Sequence, residues 1–117
     1  GNVGIGTTGP KTLLSVAGAI SLASPGIKTV AYSLLTADSS LIFNGTASIT
    51  LTLQAAADFP GRILHVKTIA AYTVVSASSN VKPLDTNTAG TAILAATAGK
   101  WAMLQSDGTD WVVMAGN

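Results

Sequence analysis

The sequence contains no cysteine, no glutamate and a single histidine, and only 9% of its residues are charged. Each scarcity excludes something. Without thiols there is no disulfide framework and no thiolate metal site, and the redox compartment stays open. Ordinary soluble domains carry about 25% charged residues. Much of this surface must therefore be Ser, Thr, Asn and Gly, or must be covered. A net charge of +1 gives no electrostatic footprint for DNA, RNA or anionic lipid, and nucleic acid is not expected as a partner. No apolar run approaches the roughly 18 residues of a membrane-spanning helix, and membrane insertion is not expected.

Catalytic constellations are equally scarce. His65 stands alone, with neither G-x-S-x-G nor H-E-x-x-H anywhere in the chain. On a strand beside Ile63 and Lys67 it reads as a structural or surface residue; three copies gathered around an axis, binding a metal, are the sharper reading. The aspartates Asp38, Asp58, Asp85, Asp107 and Asp110 are scattered, and the last two sit at a turn where solvation explains them. A glycosidase needs a deep groove and a long β-helix, for which 117 residues are few. The expectation is no enzyme, no cofactor and no metal.

What the chain has in quantity is apolar residues, 48% of the total, and they alternate. Lys100 to Ala115 joins two apolar runs, each with a tryptophan, through Ser106-Asp107-Gly108-Thr109. Asp-Gly between such runs is a strong hairpin signal, because Gly108 takes positive φ freely. With Asp107-Gly108 as a two-residue turn, Leu104 faces Trp111, Ala102 faces Val113, Met103 faces Val112 and Trp101 faces Met114. One face is then Ala102, Leu104, Trp111 and Val113; the other is Trp101, Met103, Val112 and Met114. Both are apolar and both need cover. A chain this short supplies one cover, and the second is expected from another subunit.

Upstream, period-2 runs recur. Ile27 to Leu35, Ser40 to Phe43, Arg62 to Thr68, Tyr72 to Ser76 and Ala92 to Ala95 read as strands. The clearest has Ala47, Ile49, Leu51 and Leu53 alternating with Thr46, Ser48, Thr50 and Thr52. Asn44-Gly45 reads as a second tight turn. Gln54 to Gly61 reads as a loop with at most one helical turn, ended by Pro60-Gly61. Thr12 to Leu22 reads as two short strands around Ala17-Gly18, and Ser24-Pro25-Gly26 marks a boundary. Gly1 is not an initiator methionine, and the chain is expected to be a segment of a longer one. Its glycine-spaced start, with Val3 and Ile5, has no strand before it and no P-loop lysine after it. Those two side chains suit packing against a neighbour.

That start, GNVGIGTT followed by Pro10, Leu13-Leu14-Ser15-Val16 and Gly18-Ala19-Ile20, resembles an element of bacteriophage and related viral tail fibres and tailspikes, also carried by some bacterial surface proteins. Gly9 stands where serine is usual. Further on, Thr50-Leu51-Thr52-Leu53, Phe59-Pro60-Gly61-Arg62-Ile63-Leu64-His65-Val66-Lys67 and Leu104-Gln105-Ser106-Asp107-Gly108-Thr109-Asp110-Trp111 are similar to the terminal β-domain of phage and giant-virus fibres. The resemblance implies three parallel chains around one axis, in a fibre module on the virion or otherwise at a cell surface.

The expected architecture is all-β: a short N-terminal β arm, residues 1–26, and an antiparallel sandwich- or barrel-like head, residues 27–117, assembled as a parallel homotrimer. Val3, Ile5, Met103, Leu104, Trp111, Val112 and Met114 are assigned to core or trimer packing. The polar stretch from Ala77 to Gly90 is the expected recognition surface, since loops on a rigid scaffold usually carry binding. Asn80, Lys82, Asp85 and Asn87 offer donors and acceptors suited to saccharide hydroxyls. Trp101 joins them as a stacking platform, or packs in the core or an interface. The expected role is attachment to a host cell-surface receptor, with a carbohydrate as the favoured class. A purely structural trimerisation cap is the alternative.

Overall fold

The computed structural model describes all 117 residues. Its strands are β1 (Val3–Ile5), β2 (Leu14–Val16), β3 (Gly26–Lys28), β4 (Tyr32–Ser33), β5 (Ser40–Phe43), β6 (Ile49–Thr52), β7 (Ile63–Thr68), β8 (Val74–Ser76), β9 (Val81–Lys82), β10 (Ala92–Leu94), β11 (Trp101–Ser106) and β12 (Trp111–Gly116), with one 3-10 turn at Ala56–Asp58. The protein is all-β. In the head, a six-stranded sheet runs β3-β5-β7-β11-β12-β9 and a four-stranded sheet runs β10-β8-β6-β4.

From β3 to β8 the chain alternates between the sheets, odd-numbered strands in the larger and even-numbered in the smaller. Each return lays a strand parallel to the one before: Leu41 beside Gly26, Val66 beside Leu41, Leu51 beside Tyr32, Val74 beside Ile49. Parallel neighbours need a long crossover, and here that crossover is a strand of the opposite sheet. The result is a short two-sheet solenoid of three coils. The antiparallel strands β10, β11 and β12 close its far end.

This corrects the expected antiparallel head. Five of its eight strand pairings are parallel, and neither sheet closes into a barrel. Alternation reports which side chains are buried, not which strand lies alongside. Asn44-Gly45 misleads in the same way, because it joins strands of opposite sheets and Gly45 lacks positive φ. A Cβ there would lie 2.9 Å from Ile49 Cδ1 and 3.0 Å from Thr29 O. Glycine serves close approach at the crossing, not a hairpin.

Burial follows the pattern closely. Inward side chains of both sheets form one core of 17 residues, with Phe43, Leu51, Leu64, Leu104 and Trp111 at its centre. Ile49 and Leu51 point in while Thr50 and Thr52 point out, and β7 alternates from Ile63 to Thr68 without a break. Ala47, expected inside, is exposed in the crossing that precedes β6. Ile27 to Leu35 does not form one strand: it passes from the larger sheet to the smaller between β3 and β4, leaving Val30 exposed.

The last hairpin keeps its faces but not its partners. Ser106 pairs with Trp111, Gln105 with Val112 and Leu104 with Val113. The turn is therefore four residues, Asp107 to Asp110. Asp107 closes it: its carboxylate accepts the N–H groups of Thr109 at 2.9 Å and Asp110 at 2.7 Å, and its own N–H donates to Asp110 O at 3.0 Å. Gly108 does adopt positive φ, 89°. A register change of two residues leaves every side chain on its original face, so Ala102, Leu104, Trp111 and Val113 still point inward. A bulge at Met114 then pairs Met103 with Ala115, and Trp101 does not face Met114.

In the arm, β1 pairs with β2 in parallel, Val3 beside Leu14 and Ile5 beside Val16. Of the two strands expected in Thr12 to Leu22 only the first forms; residues 19–22 have no strand partner. Val3, Ile5, Leu13, Leu14, Ile20 and Leu22 are all exposed. The arm makes the molecule long, 50 × 27 × 23 Å, with a radius of gyration of 15.7 Å against about 13 Å for a compact chain of this size.

Trp111 has no solvent exposure, so Trp111→Ala should destabilise the head by about 3–5 kcal/mol. Urea unfolding checks this, with Trp101→Ala, on a side chain 42% exposed, costing clearly less.

Candidate functional site

The outward faces of the two sheets differ in chemistry. On the smaller sheet, Ser33 lies beside Thr52, and Thr50, Val75 and Ala92 form the next row. Apart from half-buried Val75, these are small or polar side chains. On the larger sheet, register aligns Ile42, Lys67 and Trp101 in one row and Ser40, His65 and Met103 in a second. Ile63, Gln105, Val112 and Lys82 make a third. Ile63 is 47% and Met114 54% exposed; Ile42, Met103 and Val112 are half-buried. A sheet with one face on its core normally turns polar residues outward. The larger sheet does so only in part.

The residues assigned to core or trimer packing thus separate. Leu104 and Trp111 lie in the chain's own core, Met103, Val112 and Met114 on the apolar outward face, and Val3 and Ile5 out in the arm. His65 occupies the middle of that face, exposed, between Ser40 and Met103. No group of three or more His, Asp or Glu side chains that could hold a metal occurs within one chain.

At one end of the head, the Pro60-Gly61-Arg62 turn meets the final hairpin. Gly61 N–H donates to Ser106 O and Ser106 N–H to Arg62 O, both at 2.9 Å, while Ser106 Oγ donates to Ala56 O at 2.7 Å. Trp111 Nε1 donates to Gln54 O at 2.8 Å. The Arg62 guanidinium donates to Gln54 Oε1, to Leu35 O at 2.7 Å and to Asp38 O at 2.8 Å. Asp38 in turn accepts the Tyr32 hydroxyl at 2.7 Å, a bond that raises the Tyr32 pKa, with smaller contributions from burial and from the carboxylate charge. Pro60-Gly61-Arg62 and Ser106 to Trp111 therefore lock the final hairpin to the solenoid. Their role in this chain is architectural.

The loop candidates also divide. Asn80 is committed inward: its Oδ1 accepts the Ser76 hydroxyl at 2.5 Å and its carbonyl accepts Trp111 N–H at 2.8 Å. Lys82 is committed too, with Nζ 3.2 Å from Asp107 and 3.7 Å from Asp110. It ties the parallel edge strand β9 to the hairpin tip. Asp85 and Asn87 are exposed. Trp101 and Asp85, distant in sequence, line one cavity of about 400 Å3 together with Pro83, Leu84, Ile93 and Asn117. Asn87 lines an adjoining hollow with Lys82 and Met114, which shares Pro83, Leu84, Asp85 and Val113 with the first. Asn117 was not legible as a site residue, since no local pattern places the last residue beside Trp101. Its Oδ1 accepts Trp101 N–H at 2.9 Å.

Comparison with protein-family models, with curated proteins and with solved structures returns no match.

The Asp107 carboxyl is held down to about 2 from an ordinary 3.8, first by the Asp110 and Thr109 backbone N–H groups and then by Lys82. A carboxyl lowered on folding stabilises the fold above its unfolded value, and that contribution is lost as the pH falls through the folded value. The urea midpoint should therefore fall between pH 4 and pH 2. Asp107→Ala should lower the midpoint at pH 5 and flatten this part of the profile.

Proposed function

We propose that the chain is a structural fibre module that assembles as a parallel homotrimer, the outward face of its larger sheet turned toward the neighbouring copies. The observation that carries this reading is the contrast between the two outward faces. A solvent-facing sheet explains the Ser, Thr and Ala of one, where Val75 is the only large apolar side chain in the rows, whereas Ile42, Ile63, Met103, Val112 and Met114 on the other supply apolar area for a subunit contact, with Lys67, His65 and Gln105 set between them and Lys82 at the edge. The arm adds support, because six large apolar side chains there have no cover from their own chain. Three arms side by side would shield one another.

In this reading the module belongs to a virion fibre, on its outward side, or otherwise to a cell surface. The loop following β9 stands at the rim of the contact face, where Asp85 and Asn87 are free to meet a host receptor. We assign it no catalytic step and no cofactor. A second reading, a trimerisation cap with recognition elsewhere, draws support from Asn80 and Lys82, whose polar groups are already bonded within the chain.

Light scattering at about 10 μM should give three times the chain mass, a concentration at which a specific contact of standard size is largely formed. Met103→Asp should yield a monomer with an unchanged far-ultraviolet spectrum, since Met103 lies outside the core. A wild-type monomer at that concentration would sink the proposal.

A further inference from the structure

We propose that His65 is a pH switch for the contact between copies: the outward face of the larger sheet associates while the imidazole is neutral and separates when it is protonated. The inference deepens the assembly proposed above and rests on it. Composition leaves one side chain for the task. With a single histidine, no cysteine and no glutamate, the side-chain charge that changes between about pH 5 and pH 8 is that of His65.

Position decides what this charge does. His65 lies on β7, inside the sheet, with β5 and β3 on one side and β11, β12 and β9 on the other. Its cross-strand neighbours are Ser40 and Met103, and its ring is exposed and forms no ion pair in the chain. Two residues along the same strand, Lys67 shares the face. The two border a hollow of about 330 Å3 with Pro25, Ile42 and Trp101, and no acid lines it. β5 and β11 bring no charged side chain to the rows around His65. Lys28 of β3 holds its ammonium over the Tyr32 ring, 3.9 Å from the centroid, and Lys82 stands at the far edge between Asp107 and Asp110. None of the five aspartates stands in these rows. Asp38 accepts from Tyr32 and from Leu35 N–H, Asp58 lies in the 3-10 turn, and Asp85 follows β9.

In the free chain, water solvates an imidazolium at this place. When the same face of each copy turns inward, that water is lost, and the neighbours bring further Lys67 and His65 side chains but no carboxylate. Burial and like charge both disfavour the protonated ring. The contact is therefore at full strength above the imidazole range and is lost as the pH falls through it. With one proton taken up by each separating chain, the association constant of three copies falls by up to about a thousandfold for each pH unit below that range.

Sedimentation of the full chain, at the concentration used for light scattering and at constant ionic strength from pH 8 to pH 5, reads the switch. The window ends above the range in which Asp107 is protonated. A trimer at pH 8 should give way reversibly to a monomer by pH 5 with an unchanged far-ultraviolet spectrum. His65→Gln, neutral and polar, should stay trimeric down to pH 5, whereas His65→Lys, charged throughout, should be monomeric at pH 8. His65 lies outside the core, and the same spectrum checks the fold of each variant. A wild-type trimer that persists at pH 5, a His65→Gln variant that separates at the wild-type pH, or a His65→Lys trimer at pH 8 each overturns the switch and leaves the assembly standing. Separation at pH 8 on adding EDTA would make a bound metal the controlling species, and overturns it as well. A wild-type monomer already at pH 8 removes the assembly, and the switch with it.

Discussion

Trp111 sits where the solenoid, the final hairpin and the edge strand meet. Its ring fills the space between the sheets, its indole N–H reaches Gln54 O, and its backbone N–H reaches Asn80 O. Coils of strand laid side by side leave open ends, and such ends need a cap that differs from the repeating part. The antiparallel pair β11–β12 is that cap. It adds to the β7 edge, receives β9 on its other side, and is fastened to the Pro60-Gly61-Arg62 turn through Ser106. With Ala102, Leu104 and Val113, Trp111 joins the cap to the core of the coils.

The cap also determines which surface stays apolar. Because β11 and β12 lie in the larger sheet, their outward residues Met103, Val112 and Met114 extend the face begun by Ile42 and Ile63. The smaller sheet gains only the short strand β10 and keeps its Ser and Thr rows. The two outward faces thus differ: one carries mostly hydroxyl groups, and the other sets Lys67, His65 and Gln105 among Ile42, Ile63, Met103 and Val112.

Much of this was legible in the residues. Alternation located most head strands and the buried set Ile49, Leu51 and Leu53, because a half-covered sheet imposes period 2 whatever its neighbours are. The side chains of the last hairpin were grouped into the right faces even though the two-residue turn is four residues long, since a shift of two residues does not exchange faces. Strand order was not legible. Gly45 has the signature of a hairpin turn, yet serves a crossing whose tight contacts with Thr29 and Ile49 depend on the fold already being formed. Nor could the loop residues be sorted, because Asn80, Lys82, Asp85 and Asn87 look alike as polar loop residues. The distance of Asp107 and Trp111 along the chain hides that the first two are bonded.

The alternating path from β3 to β8 has a bearing on how such a chain can vary in length. Each coil meets only the coils beside it, so the number of coils between arm and cap is not dictated by either end. A duplicated coil would slot in as one more rung, moving the cap away from the arm by roughly the 4.8 Å spacing of neighbouring strands while leaving the lock at Arg62 as it is. Length and the structure of the cap are separable in this architecture, and one can be adjusted while the other stays constant.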